Sequence, residues 1–356
     1  MRWVKEVNLG FRVVRKGLYI DGHERADVAA YRHEFLALIE AYDHRFLVFS
    51  GENMEVMAWP ADGVEPLILV THDERVFSAN DGQSKLWLPK GEQPLRKKRQ
   101  GRSLHVSKFL TDVCGRLALA WKEYDGWWTA EHLHAQVRDK AIPIFTAQFP
   151  GAQALFGFDN ATSHAAFAGD ALVAKRMYLG PGGKQPKMRP TTYGDNVPQS
   201  MVYSDDYENE ELRGKPKGIK AVLSERGLWQ PGLCLPGFVA QRGLLEEVIT
   251  AAGHKVISYL KFHCELNYVE NFWGAAKQYT RKHCNYSWAG LQETVPSAMS
   301  SISFTTIRRF ACKTQRYMDV YRKILSGKAA EYAVKKYRSH RRIPVSVLMN
   351  VNALLN

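Results

Sequence analysis

The sequence predicts an α/β fold in which helices flank a mixed sheet, and three observations support this prediction. Two unbroken apolar runs that each end in an aspartate, 67–73 and 154–159, are typical of strands covered on both faces. Apolar residues spaced three and four apart predict amphipathic helices before and after the first run. With 45% hydrophobic residues, the chain of 356 residues can also bury a substantial core.

The elements can be assigned in chain order. A helical pattern over residues 24–42 comes first, and the Gly- and Pro-rich residues 50–66 predict a connector. The run 67–73 predicts a central strand with Asp73 at its end. Further along, we expect sheet segments at 76–78, 86–92, 104–110 and 117–124, and the last two are expected to be successive antiparallel strands. A helix at 131–149, strands at 154–159 and 256–260, and a helix at 268–280 are expected to follow.

Residues 169–253 interrupt this alternation, because they are rich in Gly, Pro and charge. We expect an insertion there, part loop and part helix, with its strongest helical pattern at 244–252. The predicted organisation is an N-terminal helical and linker segment, 1–64, a first part of the core, 65–168, the insertion, 169–253, a last part of the core, 254–280, and a basic helical C-terminal region, 281–356.

The net charge of +13 is concentrated near the C-terminus. Residues 277–342 hold fifteen Lys and Arg against three acids, and so carry +12 of it. A basic surface gains affinity for a polyanion by releasing the counterions around phosphates, so we expect a nucleic-acid surface there, with a solvated helical face as the alternative. A second basic run, 96–99, predicts DNA contacts or a nuclear-import signal, with an exposed hairpin as the alternative. The candidate DNA-binding residues are Arg96, Lys97, Lys98, Arg99, Lys277, Arg281, Lys282, Arg308 and Arg309.

The sequence argues against two classes of protein. No window approaches the roughly 18 apolar residues of a membrane span, and no apolar secretory stretch is present, so we expect a soluble intracellular protein without a membrane partner. Five Cys without a C-x-x-C spacing argue against a disulfide framework. The pairs 263–264 and 283–284 are both His-Cys and lie twenty residues apart, but they lack the spacing of zinc motifs and we attribute them to chance.

Three acidic residues follow strands. Asp73 and Asp159 end their strands, and Glu270 begins the helix after a later one. Carboxylates gathered at the carboxyl edge of a sheet suit Mg²⁺ or Mn²⁺, which can activate a water or a 3′-hydroxyl for displacement at phosphorus. Acids after strands also serve as helix caps or turn formers. A basic chain with such a cluster suits the cleavage of a nucleic-acid strand.

Three blocks of sequence resemble, in order, the catalytic blocks of mariner-type transposases and endonucleases of the DDE superfamily. The blocks are Thr71-His72-Asp73-Glu74, Phe158-Asp159-Asn160-Ala161-x-x-His164, and Glu265-Leu266-Asn267-Tyr268-Val269-Glu270-Asn271-Phe272-Trp273-Gly274. Residues 86–92 are similar to the segment that follows the family's first aspartate. The sequence most resembles large fungal DDE-superfamily endonucleases, over about residues 17–343.

The resemblance implies an RNase H-like core and a metal-dependent enzyme that cleaves transposon ends and joins the 3′-hydroxyl to target DNA. It implies double-stranded DNA as partner, Mg²⁺ or Mn²⁺ as cofactor, a homodimer with paired ends, and a nuclear location. Asp73, Asp159 and Glu270 correspond to the catalytic, metal-binding carboxylates, and Glu265 competes with Glu270 for the third place. His164 corresponds to a residue that orients a metal-bound group or DNA, or else caps the helix after Asp159.

The chain also departs from the family pattern. Its second and third acids lie 111 residues apart, and Arg75 stands where the family has a small hydroxyl residue. The single helix predicted at 24–42 cannot supply paired helix-turn-helix units, so we expect the N-terminal DNA reader to be missing. Two alternatives therefore stay open: a catalytically inactive DNA-binding remnant of a transposable element, and another RNase H-like nuclease.

Overall fold

The computed structural model describes residues 22–82, 99–117, 129–161, 164, 166–193, 197–230, 243–323 and 327–336. The chain divides into two compact units. The first comprises residues 1–128, 139–160 and 253–356, and the second comprises 129–138 and 161–252. The second unit overlaps the segment 169–253 that the sequence sets apart.

The first unit is built on a mixed sheet of five strands. The strands of the first unit, in chain order, are β1 (Val48–Ser50), β2 (Val56–Ala58), β3 (Leu67–Ser78), β4 (Ser103–Thr111), β5 (Gly115–Arg116), β6 (Gln153–Phe158) and β9 (Lys255–Ser258). The strands β7 and β8 belong to the second unit. The order across the sheet is β5-β4-β3-β6-β9, and β1 and β2 form a separate hairpin. β3 pairs with β4 antiparallel and with β6 parallel, and β6 pairs with β9 parallel. This is the predicted α/β fold of RNase H-like type.

Helices flank this sheet. In the first unit they are α1 (Ala26–Ala41), α3 (Ile142–Gln148), α6 (Val269–His283), α7 (Trp288–Ser300), α8 (Phe304–Arg322) and α9 (Gly327–Lys336). The helices predicted at 24–42 and 268–280 correspond to α1 and α6, and the described part of the basic C-terminal region, up to residue 336, is mainly helical as expected. None of the helices in the described ranges has both the length and the apolar character needed to cross a membrane.

The second unit is smaller. Its elements are α2 (Ala130–Gln136), β7 (Thr191–Tyr193), β8 (Val197–Gln199), α4 (Ile219–Glu225) and α5 (Leu244–Ala251). Within it, Arg189 donates to Asp170 at 2.8 Å and to Glu247 at 3.0 Å. α5 matches the helix predicted at 244–252, and a π-helical turn, Val137–Ala141, separates α2 from α3 within the helix predicted at 131–149.

α6 packs against the sheet through one apolar face. Its buried residues are Val269, Phe272, Trp273, Ala276 and Thr280, at the three- and four-residue spacing of one helix face. The ring of Trp273 is fully buried and meets Phe77 of β3 edge-on, with 6.0 Å between centroids. Because Trp273 lies one turn after Glu270, this packing fixes the first turn of α6 against the sheet.

One prediction about the central strand is wrong. The segments 67–73 and 76–78 form the single strand β3, so Asp73 lies within a strand and not at its end. The cause is the long β4, which pairs with β3 from Thr71 to Ser78 and carries it past the point where its parallel pairing with β6 stops, at Thr71. Asp73 therefore still lies at the carboxyl edge of the parallel strands. The segments predicted at 86–92 and beyond Leu117 lie outside the described residues.

Candidate active site

The candidate site lies where the parallel strands β3 and β6 reach their carboxyl edge. Asp73 projects from β3 just beyond the parallel pairing, and Asp159 directly follows β6. Glu270 stands in the first turn of α6. The three predicted acids thus lie in β3, directly after β6 and in the first turn of α6.

Two amide side chains, the buried Asn267 and the exposed Asn160, connect the segments that carry these acids. The Thr71 hydroxyl of β3 donates to Oδ1 of Asn267, which also accepts from the backbone N–H of Val269 at 3.4 Å, at the start of α6. On the other side, Asn160 donates through Nδ2 to the carbonyl of Tyr259, and the N–H of Tyr259 donates to Phe158 at 2.7 Å. Thr71, Asn160 and Asn267 all stand in the motifs that carry the resemblance, but these motifs alone do not predict their hydrogen bonds.

A close contact between a glycine of β6 and a tyrosine ring also shapes this edge. Gly157 lies in β6 two residues before Asp159, and a Cβ at this position would lie 2.7 Å from the hydroxyl of Tyr259. The ring of Tyr259 can therefore cover β6 only because residue 157 has no side chain. This packing brings the chain after β9 against the loop of Asp159.

The three acids interact electrostatically. Asp73 is only 7% exposed, and burial raises the pKa of its carboxyl to about 8, with further contributions from the negative charges of Glu270 and Asp159. Its Oδ2 is buried and has no hydrogen-bond partner. An ionised Asp73 is therefore costly in the protein alone, and a cation near Asp73 would lower that cost.

Arg75 supplies a positive charge at the same place. Its Nη1 lies 3.4 Å from Oε2 of Glu270, and both side chains are about one-third exposed. Lys277, two turns further along α6, is half-buried. Burial lowers the pKa of Lys277, and the positive charge of Arg75 lowers it further. The residue that departs from the family pattern is thus the ion-pair partner of the third acid.

Glu265 occupies different surroundings. It is buried, and its Oε1 accepts hydrogen bonds from Nδ1 of His263 at 2.7 Å and from the hydroxyl of Tyr321 at 2.6 Å. The acids that raise the pKa of Asp73 are Glu270, Asp159 and Glu74. Of the two glutamates considered for the third place, the structure therefore brings Glu270 toward Asp73.

His164 belongs to the second unit. It is buried there, and its backbone N–H donates to the carbonyl of Ala161 at 3.0 Å. Burial lowers the pKa of His134 in the same unit, the negative charge of Glu131 raises it, and a positive charge on His164 would lower it. Both roles considered for His164, in orienting a bound group and in capping, stay predictions.

The candidate DNA-binding residues differ in their surroundings. Arg308 donates to the backbone carbonyls of Met54, Asp112 and Val113, at 2.6 to 3.3 Å, so its guanidinium braces two loops. Arg281 pairs with Asp81 at 3.0 Å, and Arg309 lies 3.4 Å from Oδ1 of Asn53. The exposed candidates are Arg99, Arg281, Lys282 and Arg309, and Arg96, Lys97 and Lys98 lie outside the described residues.

Comparisons with known proteins identify the fold. No family model matches the chain, and no curated protein matches it. The chain is similar to the Mos1 mariner paired-end complex with Mn, at a TM-score of 0.50 and 10% identity over 90% of this chain and 69% of the other. A Mos1 transposase paired-end complex with the left transposon end gives a TM-score of 0.49 and 10% identity, over 94% and 70%. The chain thus has a mariner-like transposase fold, as the sequence blocks imply.

Proposed function

We propose that the chain is a DDE-type transposase or endonuclease that cleaves DNA phosphodiester bonds and transfers strands with the help of Mg²⁺ or Mn²⁺. Asp73, Asp159 and Glu270 are its catalytic and metal-binding residues in this proposal. The observation that carries it is the buried Asp73, whose pKa is raised to about 8 by burial and by two neighbouring carboxylates, and whose Oδ2 lacks a partner. Mutual repulsion of this kind is what a divalent cation relieves.

The donor set fits such an ion. All three proposed ligands are carboxylates, and hard oxygen donors suit Mg²⁺ and Mn²⁺ better than softer metals. When bound, such an ion lowers the pKa of a water or 3′-hydroxyl and balances charge at phosphorus. Asp73 must release its proton before it can serve as a ligand, and the raised pKa keeps that proton in place at neutral pH until a cation arrives.

The protein supplies the alignment of these groups. Thr71 and Asn267 fix the start of α6 to β3, and Asn160 fixes the loop of Asp159 to the chain after β9. Arg75 balances the charge of Glu270 and would compete with a cation for the same carboxylate. In this proposal, a phosphate entering the site gives Arg75 a second anionic partner.

Three further points of the proposal come from the resemblance and from charge. The partner is double-stranded DNA, as transposon ends and as target, since residues 277–342 carry +12 of the net charge. The basic candidates for its contacts stay those named from the sequence. A homodimer, a nuclear location and a kinship with large fungal endonucleases are likewise proposed.

A nicking assay tests the catalytic assignment. Supercoiled DNA carrying terminal repeats is incubated with the full chain and Mg²⁺ or Mn²⁺, and nicked circles and joined products are measured. We expect Asp159→Asn and Glu270→Gln to abolish nicking, while Asp62→Asn, at an exposed turn, leaves it unchanged. Equal nicking by wild type and Asp159→Asn would show that these acids are not catalytic.

One observation favours a second candidate function, a catalytically inactive DNA-binding remnant. Arg75 places a permanent positive charge against Glu270, where the family carries a small hydroxyl residue. The same assay separates the two functions, because a remnant binds DNA without metal-dependent nicking. Nicking without joined products would instead indicate another RNase H-like nuclease.

A further inference from the structure

One side of α6 carries a row of residues that begins at the acid site. Four residues follow one another at spacings of four, three and four and therefore share this side: Glu270, Gly274, Lys277 and Arg281. From the first to the last of them the helix rises by about 16 Å. β3 and the turn after it border the row, because Arg75 lies 3.4 Å from Glu270 and Asp81 lies 3.0 Å from Arg281. We call the four residues of α6, together with Arg75, the α6 row.

The α6 row has hydrogen-bond donors that meet no acceptor. Within the described ranges, the ammonium of Lys277 makes neither a hydrogen bond nor an ion pair, and its Nζ lies 6.0 Å from the centre of the Phe77 ring. Arg75 has five N–H donors, but its buried Nε meets no acceptor, and its one partner in the described part of the chain is Glu270. Partly exposed cationic side chains with unused donors are suited to an anionic ligand.

The charge of the row is unbalanced at Lys277. Arg75 and Arg281 each pair with an acid, whereas Lys277 pairs with none of the described residues. Burial lowers the pKa of the half-buried Lys277, and the positive charges of Arg75 and Arg281 lower it further, against the effects of Asp81 and Glu270. An anion placed against Lys277 would offset this repulsion and stabilise the charged ammonium.

Gly274 leaves an open surface in the middle of the row. It is exposed, and a Cβ at this position would meet no described atom within 4 Å. A glycine inside a helix costs stability relative to alanine, because it loses more conformational freedom on folding. Gly290 of α7 is different, since a Cβ there would overlap the side chain of Asn285. Packing thus accounts for Gly290, whereas a ligand that approaches the helix backbone would account for Gly274.

We propose that a DNA phosphate close to the scissile bond lies over Gly274 and accepts hydrogen bonds from Lys277 and Arg75. This proposal rests on the proposed function, in which the scissile phosphate lies at the acids beside Glu270. Gly274 lies about 6 Å along the helix from Glu270, and each duplex strand carries one phosphate per about 3.4 Å, so the bound phosphate is about two nucleotides from the scissile one. Such a contact positions the strand and does not read its sequence.

A binding measurement without cleavage tests the role of Lys277. Fluorescence anisotropy of a labelled DNA duplex follows binding of the full chain in EDTA, over a range of KCl concentrations. We expect Lys277→Gln to lower the affinity about 5- to 10-fold and to reduce the log-log salt slope by about 0.9, the value for one phosphate contact. Lys255→Gln is the matched control, because Lys255 is half-buried, lies 5.3 Å from the Tyr42 ring and stands at the amino end of β9, away from the acids. It should keep the wild-type affinity and slope.

Substitutions at Gly274 separate a ligand contact from a packing role. Without DNA, Gly274→Ala should raise the melting temperature by about 1–3 °C, because alanine is the better helix residue. The same variant should bind the duplex about 3-fold more weakly, and Gly274→Leu at least about 10-fold more weakly, because a displaced phosphate loses its charge-assisted hydrogen bonds. Gly290→Ala should instead lower the melting temperature, since its methyl group meets Asn285.

The outcomes distinguish this proposal from the proposed catalysis. A lower melting temperature in Gly274→Ala would show that the chain itself fills the space, and would overturn the phosphate site. Wild-type DNA affinity in both Lys277→Gln and Gly274→Leu would also overturn it, while loss of nicking in Asp159→Asn would leave the catalytic assignment intact. Weakened binding by these two variants of a chain that never nicks DNA would instead support the phosphate site and refute the catalysis.

Discussion

In metal-free protein, we expect Asp73 to make the native state less stable as the pH rises. Burial and the charges of Glu270 and Asp159 raise the pKa of the folded carboxyl from 3.8 to about 8. Between these two pH values, folded Asp73 keeps a proton that the unfolded residue has lost. The free energy of unfolding must therefore fall with rising pH across this window and level off above it.

The size of the effect follows from the shift. One pKa unit corresponds to about 1.36 kcal/mol, so the whole shift costs about 5–6 kcal/mol once Asp73 is ionised. From pH 5 to pH 7, the contribution of Asp73 should be a loss of about 2.7 kcal/mol. Solvent screens this electrostatic effect only weakly, because Asp73 is only 7% exposed.

Urea unfolding of wild type and Asp73→Asn in EDTA, at pH 5 to 8, measures this contribution. Asparagine carries no charge at any of these pH values, so we expect the variant to lack this part of the slope and to exceed the wild type in stability at pH 8. Asp62→Asn, at an exposed turn, should follow the wild type. Parallel curves for wild type and Asp73→Asn would refute the argument that Asp73 holds its proton in the folded state.

Three further predictions concern single contacts. Arg75→Ser removes the ion pair with Glu270, worth about 0.5–1 kcal/mol at this exposure, so calorimetry should show Mg²⁺ binding about two- to fivefold tighter, whereas Arg75→Lys leaves it nearly unchanged. Trp273→Ala should lower the free energy of unfolding by about 3–5 kcal/mol in urea, while Trp59→Ala, half exposed, should change it by less than about 0.5 kcal/mol. Thr71→Val removes the buried donation to Asn267 and should cost about 1–3 kcal/mol and reduce nicking, an outcome contradicted if either quantity is unchanged.

Local patterns in the sequence predict the elements that carry the acids. The sequence predicts β6 because the five apolar or small residues 154–158 precede Asp159 without interruption, and α6 because its buried positions repeat at helical spacing. The order of the three motifs then predicts which carboxylates meet, since the parallel strands that bear them share one edge. In the mixed five-stranded sheet, β3 and β6 are parallel neighbours, and which carboxylates meet stays a prediction.

Pairings between distant segments could not be predicted in this way. The sequence predicts too early an end for β3, because pairing with β4 stabilises the second half of the strand. Nothing within residues 67–78 indicates that β4 pairs there. The ion pair between Arg75 and Glu270 joins residues 195 apart, and the stacking of His23 on His263 joins residues still further apart. In the sequence, His263 stands out only beside Cys264, whereas the ring that stacks on it, His23, comes from before α1.

Glu265 and Glu270 show why the third acid is a matter of tertiary structure. Both acids lie near the start of α6, and motif spacing alone leaves either one eligible. Between them Asn267 is bound to Thr71 of β3, and Glu265 is bound to Tyr321 of α8, so the intervening turn is fixed on both sides. Only an acid beyond Asn267 is then carried by α6 toward Asp73. Loosening the turn by Tyr321→Phe should therefore disturb the position of Glu270, and nicking should fall although Tyr321 is not one of the proposed catalytic residues.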